Sequence, residues 1–99
     1  MLQYTMIILA LFSSYLSAQQ LNIVTEHLAP FQIIKDDKIT GFSTEVVRET
    51  LNRTSYDYQI ESNPWTISYQ QAIKNKNTCI YSMAYTTRRS ELFQWTGEL

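Results

Sequence analysis

Leu21-Asn22-Ile23-Val24-Thr25 mixes β-branched residues with apolar/polar alternation and runs toward Pro30. It predicts a strand that delivers Glu26, His27 and Leu28 to a loop at its carboxyl end. Working outward, Phe31 to Ile34 is a second short extended run, closed by an Asp36-Asp37-Lys38 turn. Gly41 then punctuates the chain before Phe42, Val46, Val47 and Leu51, whose spacing predicts a helix from Ser43 to about Arg53 with Ser43 as its N-cap. Tyr56, Tyr58 and Ile60 alternate with polar residues and predict a half-buried strand. Pro64 opens a second helix, to about Lys76, with Trp65, Tyr69, Ala72 and Ile73 as its apolar stripe. Cys79 to Met83 reads as an apolar strand. Strand, helix, strand, helix, strand is the pattern of an α/β fold with a mainly parallel sheet built from βαβ crossovers. Ligands bind such sheets beyond the carboxyl ends of the strands. Three such ends occur here: Thr25-Glu26, Glu61 to Trp65, and Ser82 to Arg89.

Composition narrows the class. The 99 residues are 44% hydrophobic and 17% charged, yet every Lys, Arg, Asp and Glu falls after Ala18. Met6 to Phe12 is an uninterrupted apolar run, followed by Ser13, Ser14, Ser17 and Ala18. It is far shorter than the roughly 20 residues that span a bilayer, and the small residues suit a peptidase site, so residues 1–18 read as a signal peptide. No Cys follows the apolar run, which argues against a lipid anchor. The mature chain, 19–99, is then expected in the periplasm as one domain at most. A net charge of −1 with scattered basic residues argues against a nucleic-acid partner. The single Cys excludes an intramolecular disulfide and leaves Cys79 as a small buried hydrophobe.

The chemistry-bearing stretch is Thr86-Thr87-Arg88-Arg89-Ser90-Glu91-Leu92. Thr86 is a good N-cap and would start a short helix carrying two adjacent cations. Arg in a helix's first turn opposes the dipole unless an anion sits there. Backbone N–H groups and a guanidinium fork together suit a carboxylate or phosphate. Against this stand two ordinary roles: solvated arginines, or one pairing with Glu91 or Glu98. Successive helical residues point about 100° apart, so Arg88 and Arg89 cannot both face one cleft. Glu26 could recognise a cation or face solvent, and Trp65 could wall a cleft or anchor its helix on the sheet. His27, the only histidine, lacks the partners of a metal site and reads as a surface residue. Catalysis finds little support: Ser43, Ser82 and Cys79 have no His/Asp arrangement at recognisable spacing, and there is no Gly-rich phosphate loop. No cofactor is implied.

The order of short motifs adds a further signal. Ala29-Pro30-Phe31, Ile39-Thr40-Gly41-Phe42-Ser43, Pro64-Trp65, Ile80-Tyr81-Ser82-Met83, Thr86-Thr87-Arg88-Arg89 and Phe93-Gln94-Trp95-Thr96-Gly97 follow one another across residues 21–99. This series resembles the N-terminal part of bacterial extracellular solute-binding proteins of family 3, the polar amino-acid binding components of ABC importers. The resemblance implies a type II periplasmic-binding-protein-like lobe, one of two that enclose a ligand, with the second lobe absent. It implies a monomer whose partners are a small-molecule ligand, an amino acid or related carboxylate, and a membrane permease. It assigns Arg89 to the ligand α-carboxylate, helped by groups at Ser82 and Ala84, with an aromatic wall at Trp65; Glu26 is added from its strand-end position. Ala84 stands where many members carry a hydroxyl, one ligand hydrogen bond fewer, a difference of about 0.5–1.5 kcal/mol. Leu28 replaces a frequent aromatic residue, and Thr87-Arg88 replaces the usual Pro-Glu. The same lobe also occurs in membrane receptors and in cell-wall lytic enzymes, which are the alternative settings.

Overall fold

A computed structural model describes residues 20–97, so the predicted signal peptide lies outside the described residues. The elements run β1 (Gln20–Thr25), β2 (Ile33–Lys35), β3 (Lys38–Thr40), α1 (Phe42–Asn52), β4 (Asp57–Ser62), α2 (Trp65–Lys74), β5 (Thr78–Ile80) and α3 (Thr87–Ser90). β1 is central in a sheet of order β4-β1-β5 and pairs in parallel on both sides, with Ile23 opposite both Ile60 and Cys79. β2 and β3 form a separate antiparallel hairpin. Its two-residue turn places Asp36 and Asp37 at φ of 52° and 61°, the left-handed pair that a tight hairpin needs and that Asp tolerates. The fold is the expected α/β lobe with a parallel sheet flanked by helices.

The alternation in β1 holds only for its first half. Ile23, Val24 and Thr25 are all buried in succession. A central parallel strand is covered on both faces, so period-2 exposure is lost there. α2 packs across β1 and β5. Its contact with the sheet is polar: the buried Ser68 hydroxyl donates to the Thr25 carbonyl at 2.8 Å. On α1, the buried Thr44 shares a 2.7 Å hydrogen bond with the Tyr81 phenol.

These small hydroxyl residues join the inward faces and displace part of each predicted stripe. On α1 the inward face is Thr44, Val47, Arg48 and Leu51, at helical spacings of three, one and three, whereas Phe42 is 68% exposed and Val46 faces outward. Phe42 therefore does not belong to the core stripe. Ser43 is not the N-cap either. The helix starts one residue earlier, because the carbonyls of Pro30 and Phe31 accept the N–H groups of Phe42 (3.2 Å) and Ser43 (2.9 Å). Backbone from the preceding loop does what a capping side chain would do, and Ser43 is buried. On α2 the inward face is Trp65, Ser68, Tyr69 and Ala72, while Ile73 is exposed; Pro64 is the cap residue rather than the first helical one, and the helix ends at Lys74.

The last strand is also shorter than the apolar run suggests. β5 stops at Ile80, and Tyr81 to Met83 leave the sheet. Cys79 is exposed, not buried, since β5 is an edge among the described strands and one side of it has no covering element. Neighbouring chain still desolvates its sulfur enough to push the thiol pKa up. A thiol held protonated is a poor nucleophile. Tyr56 likewise precedes its strand and is exposed.

Candidate functional site

Because β1, β4 and β5 are parallel, Thr25, Ser62 and Ile80 end on one rim of the sheet. The chain leaving β5 stays tied to β1: the Tyr81 N–H reaches the Val24 carbonyl at 3.3 Å, and the Thr25 hydroxyl donates to the Tyr81 carbonyl at 3.3 Å. Ser82 then takes φ of 59°, a left-handed conformation rare outside glycine, and turns the chain over the rim. α3 follows, capped as its sequence predicts: the Thr86 hydroxyl accepts the Arg89 N–H at 3.2 Å.

That cap fixes where the two arginines point. Arg88 is exposed and makes no hydrogen bond among the described residues. Arg89 is half-buried, and its Nη1 donates to the Ala84 carbonyl at 3.1 Å. Its guanidinium carbon lies 5.7 Å from the Trp65 ring centroid and 5.4 Å from that of Tyr69. Both rings offer it the negative face of a π system. The aromatics continue as a belt, with Tyr69 and Phe93 centroids 5.5 Å apart, Phe93 and Trp95 6.4 Å, and Trp95 and Tyr85 4.9 Å. The one ion pair among the described residues joins Arg53 to Glu49 at 3.1 Å on the exposed side of α1. Arg89 therefore keeps its charge unneutralised there, with guanidinium N–H groups to spare.

The five residues singled out in the sequence form one connected rim. Arg89, Ala84 and Trp65 touch as just described. Ser82 lies two residues before Ala84, and its hydroxyl donates to Gln32 Oε1 at 2.5 Å. Gln32 Nε2 in turn donates to the Glu26 backbone carbonyl at 3.1 Å. Glu26 is thus joined to the rim through its backbone, and its carboxylate makes no hydrogen bond or ion pair among the described residues. His27 is on the surface as expected, with its Nδ1 accepting the Ile34 N–H at 3.1 Å, so it braces the hairpin.

Two participants were not singled out in the sequence. Tyr69 forms half of the cation–π cradle; its signal was its place four residues after Trp65, on the same helix face. Gln32 is fully buried, and its signal was a lone amide inside the apolar run Phe31-Gln32-Ile33-Ile34. Among the described residues no three His, Cys, Asp or Glu side chains gather as they would around a metal ion. What the rim offers is a half-buried guanidinium fork on aromatic faces, a setting in which a planar anion gains two parallel hydrogen bonds.

Comparison with known proteins agrees with this architecture. The chain is similar in fold to the L-cystine solute receptor of Neisseria gonorrhoeae, crystallised in an unliganded open conformation, with a TM-score of 0.58 at 20% identity over 82% of the chain. The aligned part spans 36% of that receptor's length. No curated protein matches the sequence. The sequence profile of one family matches residues 21–98, which contain every element from β1 to α3 but the first residue of β1. On that match the chain belongs to the bacterial extracellular solute-binding proteins, family 3.

Proposed function

We propose that the chain binds a small polar solute carrying a carboxylate, an amino acid or a close relative, outside the cytoplasm, and that it does so for delivery to a membrane permease of the ABC importer type. One observation carries this reading: among the described residues Arg89 is held in place by neutral groups alone, the Ala84 carbonyl and the Trp65 and Tyr69 rings, so its charge is left for an anion. Ser82 and Ala84 supply backbone groups beside it, and Trp65 supplies the wall. In this reading Glu26 sits at the edge of the same rim, where its free carboxylate suits a cationic amino group. Residues 1–18 serve as the export signal and 19–99 as the binding lobe. The work is binding rather than catalysis, since the rim carries no nucleophile paired with a base.

The test is a thermal-shift and calorimetric screen of the chain against polar L-amino acids, L-cystine and small dicarboxylates at millimolar concentration. A ligand at 100 times its Kd stabilises the folded state by about 2.7 kcal/mol. Compounds with a free carboxylate should raise the Tm, and their amides should not. Arg89→Lys keeps the charge but loses the fork, and should weaken binding at least about tenfold; Arg88→Lys should leave it unchanged. Stabilisation by the amides, or an Arg88→Lys effect as large as that of Arg89→Lys, would overturn the anion assignment.

A further inference from the structure

The rim contains a buried residue that ties two of its members together, Ser82 and the Glu26 backbone. We propose that Gln32 is the positioning residue of the site: its amide locks Ser82 in the left-handed conformation that sets the Ala84 carbonyl under Arg89. The proposal rests on Arg89 being the anchor, and it adds how Arg89 is aimed.

Gln32 is 0% exposed, and both ends of its amide are hydrogen-bonded. Its backbone forms a bridge with Leu28, with both N–H···O distances at 2.9 Å, which fixes the Cα in place. Its side chain then spans from the end of β1 to the chain leaving β5, with Nε2 on the Glu26 carbonyl at 3.1 Å and Oε1 accepting from Ser82 at 2.5 Å. The amide cannot be reversed without facing its oxygen to a carbonyl, so its orientation is chemically determined. An apolar side chain of the same size would fill the space equally well. The amide has a job that space-filling does not explain.

That job is visible at the other end of the bond. Ser82 has φ of 59°, where an L side chain is disfavoured and glycine is not. Among the described residues, the only side-chain hydrogen bond of Ser82 goes to Gln32. Two residues on, the Ala84 carbonyl receives the Arg89 guanidinium at 3.1 Å. If Ser82 relaxed to an extended conformation, the chain direction after it would change and the carbonyl would leave Arg89. A second consequence concerns the solute. The Ser82 hydroxyl proton is committed to Gln32, so Ser82 can donate to a ligand only through its backbone N–H.

Glycine separates the two roles of Ser82, because Gly adopts the left-handed conformation without a hydrogen bond to hold it. The experiment follows the Arg89 Nε–H resonance of the chain by NMR, where the rings of Trp65 and Tyr69 displace it from that of exposed Arg88. Ser82→Ala should move it most of the way to the Arg88 position, while Ser82→Gly should leave it displaced. Gln32→Met should act like Ser82→Ala, and the Ser82→Gly change should rescue it. If Gln32→Met does not fold, the Ala and Gly variants at position 82 decide alone. An Arg89 resonance unmoved by Ser82→Ala, or moved equally by Ala and Gly, overturns the proposal. No ligand is needed, so failure of the binding screen would sink the function and leave this result standing.

Discussion

Removing the Tyr81 phenol oxygen should cost more stability than its single hydrogen bond suggests. Thr44 is 0% and Tyr81 is 7% exposed, and their hydroxyls meet at 2.7 Å where α1 crosses the exit of β5. In Tyr81→Phe the ring stays, so no cavity opens, but the Thr44 hydroxyl loses its partner. A buried hydroxyl left unpaired costs about 1–3 kcal/mol, more than the about 1 kcal/mol net value of the bond. Thr44→Val strands the phenol in the same way. The double variant strands neither group and replaces both by apolar atoms of similar shape, so its cost should be smaller than the sum of the singles by at least about 1 kcal/mol. Urea unfolding followed by far-ultraviolet circular dichroism measures all four corners of the cycle. For a domain of this size each kcal/mol also lowers Tm by about 4–8 °C. Additive single effects, or singles costing under about 0.5 kcal/mol, would show that water reaches this contact and that α1 is not keyed to the sheet by it.

Gly41→Ala should destabilise by more than about 1 kcal/mol in the same assay, since Gly41 has φ of 105° and an added Cβ would stand 2.5 Å from the Phe31 carbonyl oxygen. Alkaline pH should weaken the fold through Tyr81. Burial raises its pKa above the ordinary tyrosine value of about 10, against the opposing pull of the Thr44 hydroxyl and the Arg48 charge. The folded state thus favours the protonated phenol, and the stabilisation is complete below about pH 10 and lost as pH rises through the raised value. Tyr81→Phe should flatten that part of the stability profile, and an unchanged alkaline limb would refute the assignment.

The order of elements was legible in the sequence because punctuation and period agreed. Pro30, Gly41 and Asn63-Pro64 divide the chain, and β-branched runs alternate with helical spacings between them. The faces of the helices were legible only in part, with Phe42, Val46 and Ile73 misplaced, for one physical reason. Reading a core from apolar residues assumes that helices meet sheets through large side chains. Here the closest contacts are made by Ser43, Thr44 and Ser68, whose hydroxyls bond to Tyr81 or to β1 backbone or pack inside. A short hydroxyl side chain satisfies a polar group at close range, and a periodicity that scores it as solvent-facing turns the helix by about one residue.

The same reason governs what could be read of the site. The arginine pair stood out because a cation in the first turn of a capped helix is an electrostatic misfit, a signal that local rules leave unexplained, and the resemblance rather than the spacing chose Arg89 of the two. Trp65, an aromatic at a strand end, stayed open between cleft wall and helix anchor until the resemblance chose the wall. Gln32 offers only a lone amide inside an apolar run, and its meaning appears when the chain folds and Ser82, fifty residues later, takes a conformation that needs holding. Strain at one position and its remedy at another share no sequence neighbourhood. What a sequence read locally can reveal of this rim is therefore its out-of-place charge; the buried amide that braces it appears only when both ends of the hydrogen bond are placed in space.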